Sequence, residues 1–237
     1  MVISGCWAVG TWADSSLLPT DEPIARRLVY RNPVADSPKV RVDGHVRATE
    51  DAILTLTVLA PERVGLTTKE QPALYWFQSK LTSNRCELVI TEKKAEKPLI
   101  EARFEAVAGG VHRVRLADFG IRLEEGVEYR WSVAIVVDPD NRSRDVIASG
   151  AIKRIVAPEK LRQRLQDAPA AELPYIYADE GVWYDSLDSL CALVDAQPKD
   201  AKLYEIRAVY FMQVGLHDAA LQDMQAAGRT PASSPLR

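Results

Sequence analysis

Between residues 123 and 137 apolar and polar positions alternate with period two. Tyr129, Trp131, Val133, Ile135 and Val137 fall on one face, and Arg130, Ser132, Ala134 and Val136 on the other. This alternation of aromatic and β-branched side chains predicts a half-buried strand. Asp138-Pro139-Asp140-Asn141-Arg142-Ser143 supplies turn residues, and a second β-rich run at 145–156 returns. The pair predicts a long hairpin at the heart of an all-β domain.

Further strands are predicted at 53–59, stopped by Pro61, at 73–78, entered from Pro72, and at 86–91, 99–104 and 111–116. The charged run Glu92-Lys93-Lys94-Ala95-Glu96-Lys97 between two of them is a solvated hairpin tip. Residues 40–47 form a candidate edge hairpin. The prolines sit at or outside strand ends, where a ladder can spare the donor. Seven short strands plus an eighth near Val40 suggest a sandwich. Leu123-x-x-Gly126-x-x-Tyr129 resembles the start of the sixth strand in fibronectin type III and immunoglobulin-like sandwiches. There a tyrosine hydroxyl bonds to backbone a few residues upstream. Gly126 would make the bend and Tyr129 would lock it. In Tyr75-Trp76-Phe77 alternate members must face opposite sides, so Trp76 cannot share a face with both neighbours. One face packs in the core, and the other is left to present an exposed aromatic.

The period changes after Ala157-Pro158. Residues 159–165, 182–194 and 201–227 read as helical, with Pro169 and Pro174 breaking the chain between the first two. Tyr204, Ala208, Phe211, Gly215, Ala220, Met224 and Ala227 fall where a tetratricopeptide repeat places its large, small, large, turn, small, large and small residues. Only this unit matches well. About three repeats are needed for independent stability, so the tail is expected to dock on the sandwich or on a partner. The layout expected is mainly β plus α: an extended leader at 1–38, an antiparallel immunoglobulin or fibronectin-III-like β-sandwich at 39–157, and a helical, tetratricopeptide-like segment at 158–230.

Two stretches carry a family resemblance. Residues 59–77, Leu-Ala-Pro-Glu-Arg-Val-Gly-Leu-Thr-Thr-Lys-Glu-Gln-Pro-Ala-Leu-Tyr-Trp-Phe, are one. Glu128-Tyr129-Arg130-Trp131-Ser132-Val133, the Asp138-Pro139 turn and Gly150-Ala151-Ile152-Lys153-Arg154-Ile155 are the other. Together they resemble the bacterial family numbered 928 among domains of unknown function, over roughly residues 30–156, with the helical tail outside. The resemblance implies no activity, cofactor or catalytic residue. It implies an exported protein, and weakly points to sensor and caspase-like proteins as companions.

Composition narrows the function classes. The chain has 237 residues, 47% hydrophobic and 27% charged, with a formal net charge of −3. That is ample for a core and gives no basic footprint for nucleic acid. No apolar run is long enough to span a bilayer. Three cysteines, Cys6, Cys86 and Cys191, are too few and too scattered for a disulfide framework or a zinc site, though they leave room for one unassigned pair. Residues 1–13 are mildly apolar but lack a charged n-region, so they are not a complete signal peptide. Ile3-Ser4-Gly5-Cys6 resembles the end of a bacterial lipoprotein signal, which makes Cys6 a candidate lipid attachment site. The competing reading is a terminus with an incidental cysteine.

The sequence carries few signs of catalytic chemistry. His45, His112 and His217 have no second ligand at metal spacing and read as surface or structural histidines. Asp138-x-Asp140-Asn141 faintly resembles a calcium loop, but Arg142 stands where an oxygen ligand belongs and the turn reading wins. No nucleophile elbow, zincin helix, phosphate loop or dinucleotide fingerprint occurs. No catalytic residue, metal or cofactor is therefore expected. The leading expectation is a non-catalytic binding or assembly module of the bacterial envelope, acting through a protein partner. The rival is an enzyme or small-ligand receptor whose site assembles from distant residues, with His112, Asp138, Asp140 and Tyr175 as its candidates.

Overall fold

The structure, a computed structural model, describes residues 27–228 apart from 35, 50, 51, 96 and 106. The predicted hairpin forms as β8 (Glu128–Ile135) and β9 (Val146–Arg154), antiparallel from Glu128↔Lys153 to Ile135↔Val146. Tyr129, Trp131, Val133 and Ile135 are buried and Arg130 is exposed, as the alternation requires. Gly126, at φ 76°, turns the chain into β8. The Tyr129 hydroxyl then accepts a hydrogen bond from the Glu124 backbone N–H at 3.0 Å, so it does bond to backbone upstream.

On the other side of β8 lies β5 (Cys86–Glu92), and β6 (Ile100–Phe104) follows as the edge. A three-residue strand, β3 (Gly65–Thr67), completes this five-stranded sheet in the order β3-β9-β8-β5-β6. β3 pairs parallel to β9, an exception to the antiparallel expectation. Three residues are too few to show a period, so the sequence could not reveal it. The second sheet is wholly antiparallel, in the order β1-β2-β4-β7: β1 (Gly44–Thr49), β2 (Ala52–Val58), β4 (Ala73–Gln78) and β7 (Gly110–Arg115).

The edge hairpin expected within residues 40–47 does not form. β1 pairs with β2, and upstream of it Val42 exchanges both backbone hydrogen bonds with Ser149 of β9, at 2.9 and 2.8 Å. Those bonds satisfy the Val42 backbone across to the other sheet, so the segment has no need to pair with itself. The face of β4 left free to present an aromatic is covered as well, because all six residues of the strand are buried. Trp76 packs toward Phe104 of the other sheet, whereas the Tyr75 hydroxyl reaches the helices.

Five α-helices follow among the described residues: α1 (Glu159–Leu165), α2 (Leu173–Asp179), α3 (Trp183–Ala196), α4 (Ala201–Met212) and α5 (His217–Ala226). The Asp200 side chain caps α4 by accepting from the Lys202 N–H at 2.9 Å. α2 lies where Pro169 and Pro174 were expected only to break the chain. Pro174 stands in its first turn, where a missing N–H costs no helical hydrogen bond. The protein is therefore mixed α/β, two sheets followed by helices. One hydrophobic cluster takes side chains from both sheets and from α3, α4 and α5. A smaller one, Leu161, Ile176 and Val182, lies beneath α1 and α2.

Two substitutions test the hairpin. Tyr129→Phe leaves the Glu124 N–H without its acceptor and should destabilise the protein by about 1–2 kcal/mol. Trp131→Ala opens a core cavity and should cost about 3–5 kcal/mol. Urea denaturation midpoints report both, and an unmoved midpoint for Tyr129→Phe would reduce that residue to packing.

Candidate functional site

Helix α3 is fastened to the strands by its first six residues. The Trp183 indole N–H donates to the Leu59 carbonyl at 2.9 Å, and its ring stacks on Tyr210 of α4 at 4.5 Å. The Tyr184 hydroxyl accepts from the Trp131 indole N–H at 2.9 Å and donates to the Ala151 carbonyl at 3.0 Å. Asp185 is fully buried. Its carboxylate accepts from the Thr67 and Thr68 hydroxyls, each at 2.5 Å, and from the Thr68 N–H at 2.9 Å. Burial raises the Asp185 pKa, and the threonine bonds oppose that rise. One turn on, Asp188 accepts from Lys69 Nζ at 2.6 Å and from the Tyr75 hydroxyl at 2.8 Å.

A polar cleft of about 510 Å³ opens where α3, α4 and α5 meet β4 and β7. Tyr75, Arg113, Cys191, Asp195, Arg207 and Asp223 line it. Its charges are matched within the protein. Arg207 grips Asp223 with two bonds of 2.8 and 2.7 Å, both side chains being buried. Burial opposes the Arg207 charge, but the bonds and charges of Asp223 and Cys191 together outweigh it and raise the pKa. Arg113 pairs with Asp195 at 3.3 Å. Burial pushes the Cys191 thiol up to about 11, against the pull of Arg207, so it stays protonated near neutrality. The groups that converge here join helices to one another and to the sheet. None is poised as a nucleophile beside a base.

A second feature lies on the other side of the helices. Residues 28–31 run across α2 and α4 with no regular structure of their own. The Gln213 side chain grips their backbone in both directions: its Oε1 accepts from the Tyr30 N–H at 2.9 Å and its Nε2 donates to the Leu28 carbonyl at 2.8 Å. The Arg31 N–H donates to the Ala178 carbonyl at 3.1 Å. Leu28 is buried, Val29 is 42% exposed, and Tyr30 packs edge-on against Trp183 at 5.0 Å. Gly181, at φ 71°, lets the strap pass, because a Cβ there would lie 2.5 Å from the Arg31 carbonyl oxygen. Beside Leu28 lies a groove of about 500 Å³ between α2 and α4, lined also by Arg27, Tyr175, Lys202, Glu205, Ile206 and Val209.

The residues singled out from sequence scatter. His112 lies on β7, its ring stacked on Trp76 at 5.2 Å and its Nε2 2.8 Å from the Ala108 carbonyl, and burial lowers its pKa. Asp138 and Asp140 form the turn after β8, where Asp138 Oδ1 accepts from the Asp140 N–H at 3.1 Å. Tyr175 lines the groove, and none of the other three lines the groove or the cleft. His45 sits on β1 opposite Thr55, and His217 starts α5. Cys86 and Cys191 are free and buried, and Cys6 lies outside the described residues. No group of three or more metal-ligating side chains occurs among the described residues. Sequence reasoning missed Asp185, Arg207, Asp223 and Gln213. The first three are charged residues inside helical patterns, and only their burial sets them apart from a solvated face.

A sequence model of the family described as Domain of Unknown Function (DUF928) matches residues 41–224. The match runs into α5, so the helical tail is not outside the family region as its sequence suggested. The shared core explains this, since side chains of α3 to α5 pack in the same cluster as both sheets. No curated protein matches the chain.

Asp223→Ala should cost about 3–5 kcal/mol, because it strands the buried Arg207 charge. The double variant Arg207→Met/Asp223→Leu should cost less than that single change, measured by thermal denaturation. Asp185 predicts a pH dependence. Its folded-state pKa is raised, so its favourable contribution is whole below the unfolded value of 3.8 and is lost as pH rises through the folded value. The stability difference between wild type and Asp185→Asn should therefore shift in favour of the variant as pH rises. A pH-independent difference would show that Asp185 does not titrate as described.

Proposed function

The chain belongs to the DUF928 family, and since that description carries no activity, we propose from the geometry a non-catalytic interaction module that binds a protein partner through its helices. The observation that carries the proposal is the strap. α2 and α4 already hold an irregular backbone segment, through the two-way Gln213 clasp and the Ala178 carbonyl, beside an open groove with an apolar wall. Backbone bonds plus side-chain pockets are the means by which protein surfaces accept extended peptides. In this reading the two sheets form an immunoglobulin-like sandwich that acts as scaffold. α2 to α5 form two side-by-side helical hairpins in the manner of tetratricopeptide units, supported by the residue pattern from Tyr204 to Ala227 and by the turn at Gly215.

Placement in the bacterial envelope belongs to the same reading. It is supported by Ile3-Ser4-Gly5-Cys6, with Cys6 as the site of a lipid anchor. No helix among the described residues is long and apolar enough to cross a membrane, so attachment through such a lipid fits. A second reading, a small-ligand receptor, is favoured by one observation: the polar cleft brings Tyr75, Arg113 and Arg207 around a space large enough for a small molecule.

Crosslinking and pull-down from the native host separate the two. A partner should be recovered by the wild-type chain, lost with Ile206→Asp in the groove, and retained with Arg113→Ala in the cleft. Failure to recover any partner, together with ligand binding or turnover abolished by Arg113→Ala, would overturn the module reading.

A further inference from the structure

Leu28, Val29 and Tyr30 sit on the helices as an extended chain sits on a sheet edge. Leu28 is buried and Val29 is exposed. Tyr30 packs inward, edge-on to Trp183 and, at 6.4 Å, to Tyr210. That is the in-and-out period of a strand. The Gln213 amide takes the place of the neighbouring strand. In a parallel ladder one residue accepts from the N–H of position i+1 on its neighbour and donates to the C=O of position i−1. Gln213 does both, to Tyr30 and Leu28 on either side of Val29. Its Nε2 also donates to the Val209 carbonyl of its own helix at 3.3 Å, which sets the plane of the amide. The Arg31 N–H is taken up by the Ala178 carbonyl in the last turn of α2. These bonds go to backbone and accept any sequence, so selection falls to the two inward side chains, an aliphatic one and an aromatic one two positions on.

Three observations set the strap apart from the surface that holds it. The family match covers residues 41–224, so it takes in Ala178, Gly181, Trp183, Tyr210 and Gln213 and leaves out the strap. The strap is also separable. Val40 and Arg41 both donate to the Glu62 carbonyl, at 2.7 and 3.1 Å, and residues 32–41, apart from 35, carry no helix or strand. The chain is thus anchored downstream, and residues 28–31 can leave without unpairing either sheet. Lastly, the strap fits imperfectly. The Tyr30 hydroxyl is buried and has no hydrogen-bond partner among the described residues. A phenol carried into an aromatic stack without a partner is penalised, and a phenylalanine ring in the same place is not.

We propose that Gln213, the Ala178 carbonyl and the Trp183–Tyr210 stack form a docking site for an extended segment of a partner chain, one that carries an aliphatic residue and, two positions on, an aromatic residue, with phenylalanine bound better than tyrosine. The strap is this chain's own competitor for that site. Being tethered, it competes at an effective concentration on the order of millimolar, so it shuts out weak segments and yields to matching ones. The proposal rests on the interaction-module reading for the existence of a partner. The binding chemistry of the site can be tested without one.

The test is fluorescence anisotropy of the labelled peptide Arg-Leu-Val-Phe-Arg-Asn-Pro, the sequence of residues 27–33 with phenylalanine for tyrosine, titrated with the full chain. Leu28→Gly/Tyr30→Gly removes the competitor and should bind the peptide at least about tenfold more tightly than wild type. Adding Gln213→Ala should weaken that binding about tenfold, as expected for two lost hydrogen bonds. The tyrosine form of the peptide should bind several-fold more weakly, and a form with aspartate in place of leucine should not bind. Circular dichroism checks that each variant is folded, and Tyr30→Gly alone replaces the double variant should that one fail to fold. Binding no tighter to the strap variant than to wild type, or binding indifferent to Gln213→Ala, would overturn the proposal. Equal affinity for the tyrosine and phenylalanine forms would overturn the stated preference. The two experiments fail separately: pull-down can miss a host partner while the peptide binds, and the peptide can fail to bind while a partner is still recovered and lost with Ile206→Asp.

Discussion

The docking of α3 against the strands is the constraint on which the rest depends. Three consecutive residues, Trp183, Tyr184 and Asp185, are buried and each bonds a different strand segment: Leu59 after β2, Ala151 on β9, and Thr67 at the end of β3. Buried polar groups are tolerated only when bonded, so each contact fixes a distance as well as adding stability. β3 shows the consequence. A three-residue parallel strand has little stability of its own, and the Asp185 carboxylate holds it from outside the sheet. With α3 in place, the second face of β4 is covered and α4 stacks through Tyr210 on Trp183. Arg41 then ties the α4–α5 turn back to the strands, donating to the carbonyls of Ala60 at 2.9 Å and Val214 at 2.7 Å.

The same arrangement decides how charge is used. The cleft assembles more ionisable groups than any other described cavity, and a pocket of that kind ordinarily suggests chemistry. Here geometry argues otherwise. Arg207 with Asp223, Arg113 with Asp195, and Asp188 with Lys69 and Tyr75 are pairings between elements that must be held together. The groove on the opposite side is built the other way, with aliphatic walls, a cationic end and a side-chain amide that reads backbone. In the reading proposed above, the first arrangement serves cohesion and the second recognition of a chain segment.

Legibility from sequence followed the physics of each signal. The β8–β9 hairpin was plain because Tyr129, Trp131, Val133 and Ile135 recur at period two against one core, and Leu123-x-x-Gly126-x-x-Tyr129 located the hydroxyl bond because that contact is local. The α4–α5 pair was readable from small and large residues at helical spacing. β3 was too short to show a period, and Pro174 concealed α2 because a proline inside a helix and one in its first turn look alike in a sequence. The covered face of β4 was hidden for a different reason. A strand reports how apolar its faces are, not whether a neighbouring sheet or a helix more than a hundred residues away covers them. The candidate site was the least legible part, since Gln213 and Leu28 are 185 residues apart and meet only in the fold.

If α3 unites helices and sheets in one core, they should open together. Native-state hydrogen exchange along a denaturant series measures this directly. The slowest amides of α3, β8 and β9 should exchange through the same global opening, with one free energy and one denaturant dependence. Exchange of α3 to α5 through a lower, separate opening while β8 and β9 stay protected would contradict it.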